Sequence, residues 1–181
     1  MRKEIIREIK IPEGVEATLK GSSLTVKGPE GENKRTFDTR KLIFELKDKK
    51  IVIGDKKATK KEKKRINTIA SHIENMLVGV QEKFEYILKV VYSHFPITVE
   101  IKGNEAIIKN FLGEKIARKA KIPEGAEVKV NKEIINIKSV NKEIAGQAAA
   151  NLERATIIRK RDRRIFQDGI YLITKTWRKA E

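Results

Sequence analysis

The chain contains no cysteine and only two histidines, His72 and His94. Without thiols there is no disulfide framework to expect and no hint of secretion. Structural zinc sites draw their ligands mainly from Cys and His, so composition leaves no expected metal site. No run of about 18 apolar residues occurs, and the opening MRKEIIREIK alternates Ile with charge where a signal peptide would have an apolar centre. A membrane reading therefore has no support, and the expected setting is cytoplasmic. Catalytic signals are equally thin. A nucleophile needs an adjacent base and a third group to orient it. His72 falls at the edge of an apolar helical stripe and His94 stands beside Phe95-Pro96, so both read as packing or surface residues. There is no GxGxxG and no Walker loop, and Gly28-Pro29-Glu30-Gly31 is too short and too acidic to cradle a phosphate. No enzyme and no cofactor are expected.

Positive charge is what the chain has in excess. Its 181 residues carry 41 Lys+Arg against 25 Asp+Glu, a net +16, while 39% hydrophobic residues suffice for a real core. Such a charge repels itself in isolation and attracts polyanions, chiefly nucleic acid.

Periodicity organises the chain into two similar halves. Val15, Ala17 and Leu19, then Leu24 and Val26, alternate with polar residues as strands do. Further strands are expected near residues 33–37, 42–47 and 49–53. From Thr59 the period changes: Ile66, Ile69, Ala70, Ile73, Leu77 and Val80 share one helical face, with a Thr59/Glu62 capping box and Gly79 as the expected stop. The pattern then recurs, with strands near 84–92, 98–102, 106–110, 114–119, 127–131 and 134–138. A second helix is expected over about 141–155, with Ile144, Ala148, Leu152 and Ala155 inward. Sliding the chain by 82 residues superposes Lys20-Gly21 on Lys102-Gly103, Lys27 on Lys109 and Gly31-Glu32 on Gly113-Glu114. The expected fold is α+β: two tandem, duplicated domains, each an antiparallel-rich β-sheet with one face covered by a helix. Their expected ranges are 1–93 and 94–181, the second ending in a basic extension. The echo of Ile11-Pro12-Glu13-Gly14 in Ile122-Pro123-Glu124-Gly125 lies at another offset and reads as a recurring turn.

Two basic clusters are candidate contacts. Residues 56–65, including Lys60, Lys61 and Lys64, crowd cations at a helix start, where the helix dipole disfavours them unless an anion is near. In the second, Arg159, Lys160, Arg161, Arg163 and Arg164 surround Asp162, with Phe166 and Tyr171 close by and Asp168-Gly169 as a hairpin-like turn. Lys175, Trp177, Arg178 and Lys179 extend the run. Planar guanidinium groups suit phosphate, and aromatic rings stack on splayed RNA bases. These residues lie in loop-like sequence, which favours recognition of folded RNA by shape and backbone over a helix in a major groove.

Asn110-Phe111-Leu112-Gly113-Glu114-Lys115, GQAAANLERAT at 146–156 and KRDRRIFQDGIY at 160–171 together resemble the archaeal and eukaryotic form of the large-subunit ribosomal protein L-six family. The resemblance covers the whole chain. It implies a structural constituent of the large subunit that binds 23S-type rRNA near the stalk base and the sarcin–ricin loop. Neighbouring large-subunit proteins would lie alongside, and translation factors would dock nearby. It further implies phosphate contacts from Arg159, Lys160, Arg161, Arg163 and Arg164. Gln167, Asp168 and Gly169 would present a turn to RNA, and Gln147 and Asn151 would contribute from the second helix. The alternatives are a general nucleic-acid-binding protein or RNA chaperone, which would bind duplex DNA equally well, and an RNA-processing enzyme with unrecognised carboxylates.

Overall fold

Alternating apolar and charged residues do become strands throughout the computed structural model, which describes residues 3–40 and 42–175. The first compact unit, Met1–Lys83, contains β1 (Lys3–Lys10), β2 (Glu16–Lys20), β3 (Ser23–Gly28), β4 (Gly31–Thr36), β5 (Ile43–Lys47), β6 (Lys50–Ala58) and α1 (Lys60–Gln81). These form two antiparallel sheets ordered β1-β6-β5 and β2-β3-β4. Leu24, Val26, Ile51 and Ile53 are fully buried, as expected for the inward members of a period-two pattern.

Helix α1 begins where the capping box places it. The Thr59 hydroxyl accepts from Lys61 N at 3.3 Å, and Thr59 N donates to the Glu62 carboxylate at 3.0 Å. Ile66, Ile69, Ala70, Ile73, Leu77 and Val80 are all buried. Burying each Ile or Leu side chain contributes about 1.5–3 kcal/mol, which outweighs the weak propensities in this segment. Gly79 does not stop the helix. Val80 is still wholly buried, and its carbonyl accepts Glu30 N at 3.0 Å, so the last turn is held against the β3–β4 turn. A Cβ on Gly28 would lie 2.6 Å from that carbonyl, which is why a glycine fits there.

The second unit, Phe84–Glu181, contains β7 (Phe84–Val91), β8 (Thr98–Lys102), β9 (Glu105–Lys109), β10 (Arg118–Lys121), β11 (Glu127–Asn131), β12 (Ile134–Ser139), α2 (Lys142–Ala155) and β13 (Gly169–Lys175). Its sheets run β10-β9-β8 and β11-β12-β7-β13. The division falls before β7 and not at 93/94, because β7 hydrogen-bonds on both edges, to β12 and to β13. Helix α2 starts at the Asn141 cap and buries Ala145, Ala148, Ala149 and Leu152, leaving Ile144 and Ala155 half-buried.

Strand for strand, β1 through β6 and α1 correspond to β7 through β12 and α2, and β1-β6-β5 matches β7-β12-β11. Each half thus carries two small sheets and one helix. Gly21 and Gly103 turn equivalent hairpins with φ of +61° and +59°. The Pro12 and Pro123 turns make the same bond, Val15 N to Pro12 O and Ala126 N to Pro123 O, but one follows β1 and the other β10, so they stand outside the repeat.

The copies diverge at two places. Pro29-Glu30 suffices between β3 and β4, whereas residues 110–117 separate β9 from β10 and delay the strand expected from Glu114 until Arg118. Beyond α2, only the second unit continues, into β13. Gly169 is the first residue of that strand and pairs with Val91, so Asp168-Gly169 is not a hairpin turn. Its chain partner is β7, not the preceding basic segment.

Candidate nucleic-acid interface

Residues 156–168 join α2 to β13 and carry the second basic cluster. Both ends of the segment are fixed. Thr156 is buried, donates its hydroxyl to Glu153 O at 3.2 Å and accepts Ile170 N at 3.0 Å. Asp168 is 4% exposed and its carboxylate accepts Ser93 N at 3.1 Å and the Ser93 hydroxyl at 2.9 Å. Between these anchors Arg159, Lys160, Arg161, Arg163 and Arg164 are all exposed. A tight turn organises them: Asp162 O accepts Ile165 N and Phe166 N, while its carboxylate accepts Arg164 N at 2.9 Å.

The five cations are not equivalent. Arg164 forms a forked ion pair with Asp162 at 2.7–3.2 Å. That hydrogen bonding holds the Asp162 carboxyl below its usual range and raises Arg164. Arg161 lies over the Phe166 ring, 4.9 Å from its centre. Arg159, Lys160 and Arg163 make no hydrogen bond or ion pair among the described residues, so their charge is open to an external anion.

A second layer supports the segment from the 110–117 loop. That loop uses left-handed backbone at Asn110 (φ +59°), Leu112 (φ +52°) and Gly113 (φ +75°), which buries Phe111 to 1% exposure. Arg118 lies 4.2 Å from the Phe111 ring centre. Its fork pairs with Glu114 at 2.8 and 2.6 Å and also donates to Ala155 O at 3.0 Å and Ile157 O at 3.2 Å. The Arg118 hydrogen bond is the main cause that holds the Glu114 carboxyl below its ordinary value, with Arg161 adding a smaller Coulombic contribution. The guanidinium thus satisfies carbonyls at the end of α2 that the helix cannot.

The remaining expected contacts are distributed less uniformly. Gln167 is exposed, donates to Arg164 O and accepts the Tyr171 hydroxyl. Asp168 and Gly169 are buried, which corrects their expected presentation to RNA: the carboxylate is committed to Ser93, and the Tyr171 ring closes over Gly169. Gln147 donates to Asn151 at 2.7 Å, and Asn151 donates to Lys121 O at 2.7 Å, so Asn151 ties α2 to β10. Lys60, Lys61 and Lys64 are exposed on the first turns of α1, in the other unit. Lys175 is exposed at the end of β13, while Trp177, Arg178 and Lys179 lie outside the described residues. Sequence reasoning missed Arg118 and Arg154. Nothing in local spacing marks Arg118 as the partner of carbonyls at Ala155 and Ile157.

His72 stacks at a tilt near Phe37, and His94 stands edge-on to Phe95 at 4.7 Å. Among the described residues no cluster of three His, Asp or Glu could hold a metal, and no helix is long and apolar enough to cross a membrane.

Fold and site together define a duplicated α+β protein that displays a fixed cationic segment on its second copy. Membership is narrower than that: the chain belongs to the Ribosomal protein L6 family, which matches residues 11–83 and 95–169. It is 46% identical over 174 residues to the large ribosomal subunit protein uL6 of Archaeoglobus fulgidus, covering 93% of this chain and 89% of that protein. It is 44% identical over 175 residues to the protein of the same name from Methanosarcina mazei, covering 97% of this chain and 99% of that one. The Methanobrevibacter smithii protein of that name is 45% identical over 171 residues, 94% of this chain and 96% of the relative. This is a family of ribosomal proteins and not of enzymes.

Proposed function

We propose that the chain is a structural constituent of the large ribosomal subunit, resident in the cytoplasmic ribosome, that grips rRNA through residues 159–164. The observation that carries this reading is the set of unpaired cations, Arg159, Lys160 and Arg163, held on a segment anchored at both ends. It acts by neutralising phosphates and fixing the position of RNA helices, with no turnover. The L-six resemblance points to the stalk base and the sarcin–ricin loop of 23S-type rRNA as the binding region. Neighbouring large-subunit proteins and docking translation factors are the other partners that position implies. Gln147, Lys60, Lys61, Lys64, Lys175, Arg178 and Lys179 are supplementary candidate contacts.

The test is affinity of the full chain for large-subunit rRNA as salt is raised. With about six phosphates neutralised, log K falls against log salt with a slope near −5. A slope near zero overturns the proposal. Equal affinity for bulk duplex DNA would instead favour a general nucleic-acid-binding protein or RNA chaperone.

A further inference from the structure

A cleft of about 400 Å³ opens between the end of α2, the start of the basic segment and the first residues of β13. Its volume lies at the low end of the roughly 300–1,000 Å³ typical of clefts that take small molecules, large enough for one base and its sugar. Arg154 and Arg163 line it, and neither side chain makes a hydrogen bond or ion pair among the described residues. Ile157 supplies exposed apolar surface, and the buried Ile170 also lines the cleft. Tyr171 adds a fixed aromatic ring: its hydroxyl donates to Gln167 O at 3.0 Å, and its ring sits where a Gly169 Cβ would be 3.2 Å away. The aromatic wall is therefore set before any ligand arrives.

We propose that this cleft receives a single unstacked nucleotide of the bound rRNA, its phosphate between Arg154 and Arg163 and its base against Ile157 and Tyr171. The inference rests on the rRNA-binding reading above. Unpaired bases are what RNA offers to such a site, since the A-form major groove is too narrow for side chains and single-stranded bases stack on aromatic rings. A peptide ligand is a poorer match, because two unpaired arginine side chains lining one cleft call for an anion on the ligand. Glu153 also lines the cleft, with its carboxylate accepting Leu172 N at 2.9 Å. A carboxylate disfavours a second phosphate and accepts from an N–H donor on a base edge.

The experiment measures binding of full-length Ile157→Asp and Ile134→Asp proteins to in vitro transcribed large-subunit rRNA and to isolated large subunits stripped of this protein. Both isoleucines are 44% exposed, so each substitution adds the same charge at matched exposure, and only Ile157 lines the cleft. The expected result is at least a tenfold loss for Ile157→Asp and less than twofold for Ile134→Asp, with both proteins melting near wild type. Ile157→Ser, which adds no charge, is expected to lose about threefold and guards against a misfolded aspartate variant. Equal losses for the two aspartate variants, or none for either Ile157 variant, overturn the cleft while leaving rRNA binding in place. Wild-type affinity for naked rRNA with weakened rebinding to stripped subunits would assign the cleft to a neighbouring protein and also overturn it. If wild-type protein itself fails to bind rRNA, the broader reading fails first.

Discussion

Arg118 grips Glu114 with two hydrogen bonds of 2.8 and 2.6 Å, and the same guanidinium reaches the carbonyls of Ala155 and Ile157. One side chain thereby joins the loop that the first copy lacks to the segment that the first copy also lacks. Arg118→Ala leaves two carbonyls and a carboxylate without their partner and is expected to cost about 2–3 kcal/mol. A single lysine cannot reproduce the fork, so Arg118→Lys should recover less than half of that loss. Thermal melting checks both. Arg118 acts through the segment, so its variants should weaken rRNA binding without lowering the salt slope by a full contact.

Arg163 and Arg164 are adjacent but differ in what already neutralises them. Arg163→Ala should weaken rRNA binding and reduce the salt slope by about 1, the signature of one lost phosphate contact. Arg164→Ala should do less, because Asp162 already pairs with that guanidinium and would have to be displaced. Neither should move the melting temperature appreciably, since exposed pairs contribute at most about 1 kcal/mol. Filter binding over a salt series separates the two.

Asp168 belongs to the frame and not to the surface. Asp168→Ala removes two charge-assisted hydrogen bonds, from the Ser93 N–H and hydroxyl to a buried carboxylate, and should destabilise the second unit by about 2 kcal/mol. That is on the order of 10 °C in melting temperature for a unit of this size. Asp168→Asn keeps an acceptor and should fall midway. If Asp168 touched RNA, the asparagine variant would change affinity at temperatures where it is fully folded; no change is expected.

The first unit carries an acid-stable pair. The Arg40 hydrogen bond, first among several causes, lowers the Asp38 pKa from 3.8 to about 2. A carboxyl depressed in the folded state contributes stability that is fully present above pH 3.8 and is lost as pH falls towards 2. Nothing from this pair should vary between pH 5 and 8. Carboxyl carbon chemical shifts of Asp38 during acid titration measure the midpoint directly, and Arg40→Ala should return it towards 3.8.

Much of the frame was legible because local rules and burial agree. Thr59 and Glu62 announce α1, and its apolar stripe is the buried face. The 127–131 strand follows from alternation alone. Gly79 misled because a glycine was read without the packing of Val80 beyond it. Ile170 and Leu172 do alternate as a strand should, but basic neighbours disguised β13, and its pairing with β7 is a long-range fact that no local period encodes. The cationic residues of the site were visible as composition. Which of them carry unspent charge was not, because the Arg164–Asp162 and Arg161–Phe166 contacts depend on the turn at Asp162. Asp168 looked like a turn residue for the same reason.

Because β13 returns the chain to a sheet edge, alongside β7, the basic segment is a bridge with two abutments and not a trailing end. Its conformational freedom is surrendered when the second unit folds, well before any polyanion is met. Docking then asks little further ordering of the protein, and a small heat-capacity change should accompany it, unlike the large one of a disordered arm that folds on its target.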